Sequence, residues 1–269
     1  MSDRELRAIT ASTIIASVDD QDPAALVRFY EETYSREPAQ AAIGAGWRAL
    51  GAENRADHVI ALCARAGIRP ASTLDVGCGD GALLVELRRR GFGGRLSGVE
   101  ISPAAVDIAR GRDGIDAVEC YDGEHLPAAD GSYELGVLSH VLEHVPEPSP
   151  LFSEVARACR AVVVEVPLED NLSAGRRAKR EQAAAVGHLH RFSRTDVREL
   201  VTGAGLSVRA ELDDPLPVEF HVYFASDPLG RSLGRGKWVL RAGVHRLAPG
   251  LARRLFTLHY ACLCARPGV

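Results

Sequence analysis

Lysine is almost absent from this chain of 269 residues: Lys179 and Lys237 are the only two, and Met1 is the sole methionine. Arginine carries nearly all the positive charge, a bias that reads as genome composition and not as chemistry. The 32 basic and 36 acidic residues leave a formal charge of -4, without the basic excess of a dedicated nucleic-acid binder. The six cysteines (Cys63, Cys78, Cys120, Cys159, Cys262, Cys264) show no C-x-x-C spacing, and "MSDRELRAIT" lacks a basic-then-apolar leader. No stretch approaches the roughly 18 apolar residues of a membrane span. These absences point to a cytoplasmic chain with reduced thiols and no membrane span.

What is present is a rhythm. From Leu74 to about Val166, short apolar runs ("STLDVG", "RLSGVEI", "IDAVECY", "YELGVLS", "AVVVEVP") alternate with amphipathic stretches ("ALLVELRRR", "PAAVDIAR", "LFSEVARAC"). That alternation predicts right-handed crossovers and a parallel sheet covered on both faces, a doubly wound α/β core of Rossmann-like type. One domain is expected: a helical cap over 1–70, the core over 71–212, a basic insertion acting as a lid over 213–254, and a final strand over 255–269. After Pro167 the regular pattern lapses, until "SRTDVRELVTGAGL" shows a helix start at Ser193 or Thr195 and a glycine stop at Gly203 or Gly205. The strand "LSVRAEL" follows it. Residues 227–254 hold one acid and seven Arg or Lys residues between prolines and glycines.

The stretch "LDVGCGDGALL" carries the first chemistry. Gly77, Gly79 and Ala82 fit the G-x-G-x-x-A turn of a dinucleotide fold, while Gly77, Gly79 and Gly81 fit the G-x-G-x-G turn of a methyl-donor site. In either case a strand entering glycines and then a helix brings bare backbone N–H groups and a helix N-terminus to the ligand. Glu100, ending the second strand, suits both, since a carboxylate there can accept two ribose hydroxyls. Asp75 separates them: a carboxylate inside the turn would repel a pyrophosphate but could face the ammonium of an amino acid.

"LDVGCGDG", "GVEIS", "YDGEHLPAADGSYELGVLSHVLEHV" and "GHLHRFSRTDVRELVTGAGL", spanning residues 74 to 206, resemble in order and spacing the motifs of class I S-adenosylmethionine-dependent methyltransferases, of the type 11 and ubiquinone-pathway O-methyltransferase kind. The resemblance implies that Asp75, Gly77, Cys78, Gly79 and Gly81 line the methionine end of the cofactor. It gives Glu100 the ribose, Ile101 one face of the adenine, and Asp122 with the Gly123 backbone the adenine edge. Leu126 and Pro127 close the following turn, and Ser139 and His140 lie near the sulfonium. It also implies a sheet of about seven strands whose last, "LFTLHYACLCA", is antiparallel. A non-catalytic cofactor-binding protein and an NAD-dependent oxidoreductase are the other classes of answer.

His140-Val-Leu-Glu143-His144 admits three readings. H-x-x-E-H marks inverted zinc proteases, but they need it inside a long helix, whereas here a strand delivers it and Pro146, Pro148 and Pro150 follow. A helical turn from Ser139 would set His140, Glu143 and His144 on one face as ligands for a divalent metal, with His188 or His190 completing the set. The resembling ubiquinone-pathway and small-RNA 2'-O-methyltransferases use Glu-x-x-Glu-His plus a later His, so His140 in place of the first Glu suits a softer ion than magnesium. Third, His140, His188 or His190 could act as the general base for a hydroxyl acceptor. The expected partner is a small-molecule acceptor, anionic or carrier-bound if "RRAKR" (176–180) and the basic segment reach it. Tyr30, Tyr34 and Trp47 could cover cofactor or acceptor, or simply pack. Cys262 and Cys264 share a strand face, too little for a metal site.

Overall fold

The first strand of the sheet shows how its residues dictate burial: Ser72–Val76 (β1) is buried at every position after the first, as a strand covered on both faces must be. The computed structural model describes residues 23–34 and 38–266; residues 1–22 of the expected cap lie outside them. Two cap helices, α1 (Pro23–Tyr34) and α2 (Pro38–Ala66), precede β1. The alternation then continues as α3 (Ala82–Arg89), β2 (Arg95–Glu100), α4 (Pro103–Arg110), β3 (Ala117–Cys120), β4 (Tyr133–Ser139), a 3-10 turn at Leu142–His144, α5 (Pro148–Ala158) and β5 (Cys159–Pro167). Beyond it come α6 (Arg177–Ala185), α7 (Arg194–Gly203), β6 (Ser207–Asp214), α8 (Val218–Val222), α9 (Pro228–Leu247), α10 (Pro249–Leu255) and β7 (His259–Ala265).

These strands form one seven-stranded sheet in the order β3-β2-β1-β4-β5-β7-β6. β1 to β5 run parallel, and β7 is antiparallel to both β5 and β6. The strand order reverses between β1 and β4, which opens a crevice at their carboxyl ends where such sheets bind ligands.

Strand parity divides the core between the two faces. Val162, Val164, Cys262 and Cys264 pack with Phe152 and Val155 of α5 and Val197 and Val201 of α7. Val163 and Leu263 face the other way, onto Val59, Leu62 and Cys63 of α2 and Leu84 and Leu87 of α3. Cys262 and Cys264 do share a face, as free buried thiols.

The start of α7 is local chemistry: Ser193 accepts from the Asp196 N–H while the Asp196 carboxylate accepts from the Ser193 N–H, a reciprocal cap that places the start at Ser193 and not at Thr195. The helix ends at Gly203 and Gly205 follows at φ +72°. Two boundaries differ from the sequence reading. The polar stretch after Pro167 contains α6, none of whose residues is buried, so periodicity had no apolar face to report. The last strand begins at His259 and not at Leu255, because Leu255 closes α10 and the Arg241 guanidinium takes the Thr257 carbonyl. The basic segment is thus three helices inserted between β6 and β7. It sits at the carboxyl end of the sheet, because the residues flanking it, Asp214 and His259, pair with each other and His259 pairs with Pro167 of β5. No described helix is long and apolar enough to cross a membrane.

Candidate functional site

At the β1 end, three glycines bend the chain where side chains could not follow. Gly77, Gly79 and Gly81 have φ of +73°, +54° and +75°. A Cβ on Gly77 would fall 2.6 Å from Val141 Cγ2, and one on Gly79 would fall 2.4 Å from the Tyr34 hydroxyl. Left-handed backbone and close approach both require glycine here. Gly81 then caps α3.

Glu100, only 6% exposed, knits the turn to the end of β2. Its carboxylate accepts from the N–H of Gly79 (2.9 Å), Ile101 (2.8 Å) and Ser102 (3.0 Å). Burial raises its pKa against the pull of those three donors. Asp75, wholly buried beside the turn, is pushed up to about 7 by burial, which Arg55 opposes and Glu100 reinforces. Cys78 is expected to line the methionine end; at that turn its thiol lies against Gly98 of β2, 2.5 Å from where a Cβ there would stand. Ile101 borders Gly123, which turns at φ +90°. Asp122 accepts from the Glu124 and His125 N–H groups (2.8 and 2.7 Å), and those bonds hold its carboxyl down at about 2.

α1 lies across this end. Its Glu31 carboxylate accepts from Ser102 Oγ (2.6 Å) and the Ala104 N–H (3.2 Å), and Tyr34 stands over Gly79. Burial, reinforced by Glu100, raises the phenol pKa of Tyr30 and of Tyr34. Asp80, within the glycine motif itself, is clamped between Arg48 and Arg112, each 2.8 Å away. Trp47 does not join this cover. Its ring meets Phe220, Tyr223 and Phe224 at 5.1, 5.2 and 5.0 Å, fastening the inserted helices to α2.

The histidine end starts at Ser139, the last residue of β4. His140 adopts φ +59°, rare for a residue with a Cβ and sustained here by its N–H bond to the Glu165 carbonyl (2.9 Å). The side chains around it form a buried polar chain. His140 Nδ1 lies 2.9 Å from Glu143 Oε1, and its Nε2 lies 3.1 Å from His259 Nδ1. Glu165, with no exposed surface, sets Oε1 against His58 Nδ1 (3.0 Å), His259 Nδ1 (3.5 Å) and His140 Nε2 (3.6 Å). Its Oε2 accepts from Ser139 Oγ at 3.1 Å, so the Ser139 hydroxyl is directed to Glu165. His58 continues through Nε2 to Asp214 (3.1 Å), which Asn54 also holds (2.8 Å).

Charge is distributed unevenly along this chain. Burial works against a proton on His140, but Glu143 and Glu165 overcome it and bring its pKa to about 9. His58 reaches about 10 in the same way, through Asp214 and Glu165. His259 is lowered, by burial and by the cation at His140.

On the far side of Glu143 lies a second group. His144 donates Nδ1–H to the Gly187 carbonyl (3.0 Å), its ring meets that of His188 at 4.9 Å, and His188 Nδ1 lies 3.1 Å from Glu169 Oε2. Glu143 Oε2 is buried and finds no hydrogen-bond partner among the described residues. The ligand set expected from sequence therefore spans two groups: Glu143, His144 and His188 converge, while His140 joins Glu165 and His259 through Nε2 and keeps its Nδ1 on Glu143. His190 belongs to neither group, since its Nε2 donates to the carbonyls of Val145 and Pro146 (2.9 and 3.0 Å). Glu165, His259, His58 and Asp214 escaped the sequence reading. Glu165 alone left a trace there, as an acid inside the apolar run "AVVVEVP".

A doubly wound sheet with a glycine turn, a buried carboxylate ending β2 and a polar cluster after β4 is the architecture of a nucleotide-cofactor protein. A family profile described as a methyltransferase domain matches residues 49–211. The chain belongs to the class I S-adenosylmethionine-dependent methyltransferases.

Among its relatives, a malonyl-[acyl-carrier protein] O-methyltransferase of Geobacter sulfurreducens is 29% identical over 178 residues, 61% of this chain and 66% of that one. Ajmaline N-methyltransferase of Rauvolfia serpentina is 30% identical over 95 residues, 33% of this chain and 32% of that one. The chain thus matches less than two thirds of the length of these relatives. By fold it is similar to geranyl diphosphate C-methyltransferase of Streptomyces coelicolor (TM-score 0.57, 19% identity, 79% of this chain and 77% of that one). It is likewise similar to magnesium protoporphyrin IX methyltransferase of Synechocystis with S-adenosylhomocysteine bound (TM-score 0.56, 16% identity, 91% and 100%).

Proposed function

We propose that the enzyme transfers the methyl group to oxygen on a small acceptor that carries negative charge. The observation that supports this best is adjacency: the Cβ that Gly77 lacks would strike Val141, the residue after His140, so the donor turn and the histidine cluster share a wall. A methyl on positive sulfur is already activated, and the protein's task is to align the two partners and take up a proton.

In this reading Glu100 accepts the ribose hydroxyls, Ile101 and the Gly123 backbone flank the adenine with Asp122 at its edge, and the glycine turn receives the methionine end. The glycines at 77 and 79 let Val141 and Tyr34 close against the turn, so these two side chains wall the place where such a ligand would lie. Asp75, neutralised in part by burial, regains its charge beside the ligand's ammonium.

Of the three candidate bases, His188 is the best equipped. Its Nδ1 is held by Glu169, which leaves Nε2 as the lone pair, the arrangement of an oriented base. His140 keeps its proton up to about pH 9, and His190 spends Nε2 on carbonyls.

Negative charge on the acceptor is inferred from the lid. Lys179 of α6 lies within electrostatic reach of Arg241 and Lys237 of the lid: burial lowers the Lys179 pKa, and the two other cations lower it further. The name of the Geobacter relative, an O-methyltransferase of a malonyl carrier protein, fits an acidic acceptor of this kind. Calorimetric titration with S-adenosylhomocysteine, with NAD as control, followed by a labelled-methyl assay across phenols, carboxylic acids and carrier-bound acids tests the reading. Turnover confined to nitrogen or carbon acceptors, or to uncharged ones, would overturn it.

A further inference from the structure

Three donor atoms at the crevice floor close a triangle: His140 Nε2 to His259 Nδ1 is 3.1 Å, His259 Nδ1 to Glu165 Oε1 is 3.5 Å, and Glu165 Oε1 to His140 Nε2 is 3.6 Å. The point equidistant from all three lies about 2.0 Å from each, the bond length of zinc to imidazole nitrogen and carboxylate oxygen. The atoms come from three segments far apart in sequence: the turn after β4, the end of β5 and the start of β7. The parallel register of β4 on β5 and the antiparallel register of β5 on β7 bring them together.

The surroundings are those of a metal site. Ligating histidines hold their second nitrogen on an acceptor, and ligating carboxylates are themselves hydrogen-bonded. Here His140 Nδ1 is held by Glu143, Glu165 Oε1 by His58 and Glu165 Oε2 by Ser139. Glu165 is sealed while the His140 and His259 side chains are 23% and 17% exposed, so the triangle is backed by protein on one side and opens on the other.

We infer that His140, Glu165 and His259 bind one divalent transition ion of the zinc kind, separate from the Glu143–His144–His188 group. Two nitrogens and one oxygen suit zinc or cobalt, whereas magnesium and calcium take oxygen ligands. Three protein ligands leave a position open, which faces the crevice and can receive an oxygen of the acceptor, lowering the pKa of a hydroxyl there. That last role rests on the oxygen-transfer reading; the ion site itself does not.

The test uses the full chain, stripped with chelator and titrated with zinc chloride by calorimetry and with cobalt chloride by visible absorption, with magnesium chloride as control. One equivalent of zinc should bind, more weakly at pH 6 than at pH 8 because the ion competes with protons for the imidazoles. His259→Ala and Glu165→Gln should each weaken it by more than about tenfold, while His188→Ala leaves it in place. Folding of each variant is checked by circular dichroism, and His259→Ala, which removes no buried charge, serves if Glu165→Gln fails to fold. Absence of zinc binding to the folded wild type, or binding that survives His259→Ala and is lost in His188→Ala, overturns the assignment. S-adenosylhomocysteine affinity, measured on the same samples, reports separately on the methyltransferase reading.

Discussion

The two ends of the crevice are built by opposite means. The end over β1 to β3, where we place the donor, is made largely of backbone: left-handed glycines, N–H groups on the single carboxylate of Glu100, and a helix start, all drawn from residues 75–123. The other end, over β4, β5, β7 and β6, where we place the acceptor, is made of side chains from distant segments, with His58, His140, Glu165, Asp214 and His259 in one largely buried chain. Backbone can serve a cofactor that never changes. Side chains on separate elements can be exchanged one by one, which is what a variable acceptor demands.

The largest effect that would break this contrast is expected at Glu165. Glu165→Ala removes the carboxylate against which three imidazoles and Ser139 are set, and should destabilise the fold by about 3–5 kcal/mol, read by urea unfolding at neutral pH. A loss below about 1 kcal/mol would show that the chain is not a structural unit. At the donor end Glu100→Ala should weaken S-adenosylhomocysteine by about 1–3 kcal/mol through lost charge-assisted bonds, with the acceptor KM little changed. Unchanged affinity in a folded variant removes that residue from the cofactor site.

Trp47→Ala tests the seam between lid and cap. Losing ring contacts with Phe220, Tyr223 and Phe224 should cost about 1–2 kcal/mol of lid attachment, seen as faster limited proteolysis within 218–247 and a raised acceptor KM. The smallest effect lies away from both ends. Burial disfavours ionised Glu211, but Tyr260, Arg198 and Arg194 outweigh it and hold its pKa at about 2, below the ordinary 4.5. Because the folded pKa is depressed, its contribution is complete above about pH 4.5 and fades as pH falls toward 2. In Glu211→Gln the stability slope across that window should flatten while both ligand affinities hold.

The sheet and the donor end could be read from sequence because their signals are local. Strand length, glycine spacing and the Ser193–Asp196 cap each act within a few residues, and "YELGVLS" became β4 residue for residue. Cys78 shows the limit of such reading: its place in the motif was legible, but the direction of its thiol depends on Gly98 of the neighbouring strand. Glu165 and His259 meet only because β7 runs antiparallel to β5 with Pro167 opposite His259. No spacing within either segment records that pairing. Likewise His140, Glu143 and His144 were expected on one helical face, yet with left-handed backbone at His140 its Nδ1 meets Glu143 while its Nε2 reaches Glu165 and His259.

The lid leaves the sheet at Asp214 and returns at His259, and these two residues are themselves a registered pair. Its two ends are therefore pinned a strand's width apart whatever lies between, and the entropy of closing such a loop rises only slowly with its length. The insertion behaves as a cassette: helices could be lengthened, removed or traded there without disturbing the hairpin beneath. A lineage, or an engineer, seeking a new acceptor would find in the joint between β6 and β7 a place to change specificity while the donor site is inherited intact.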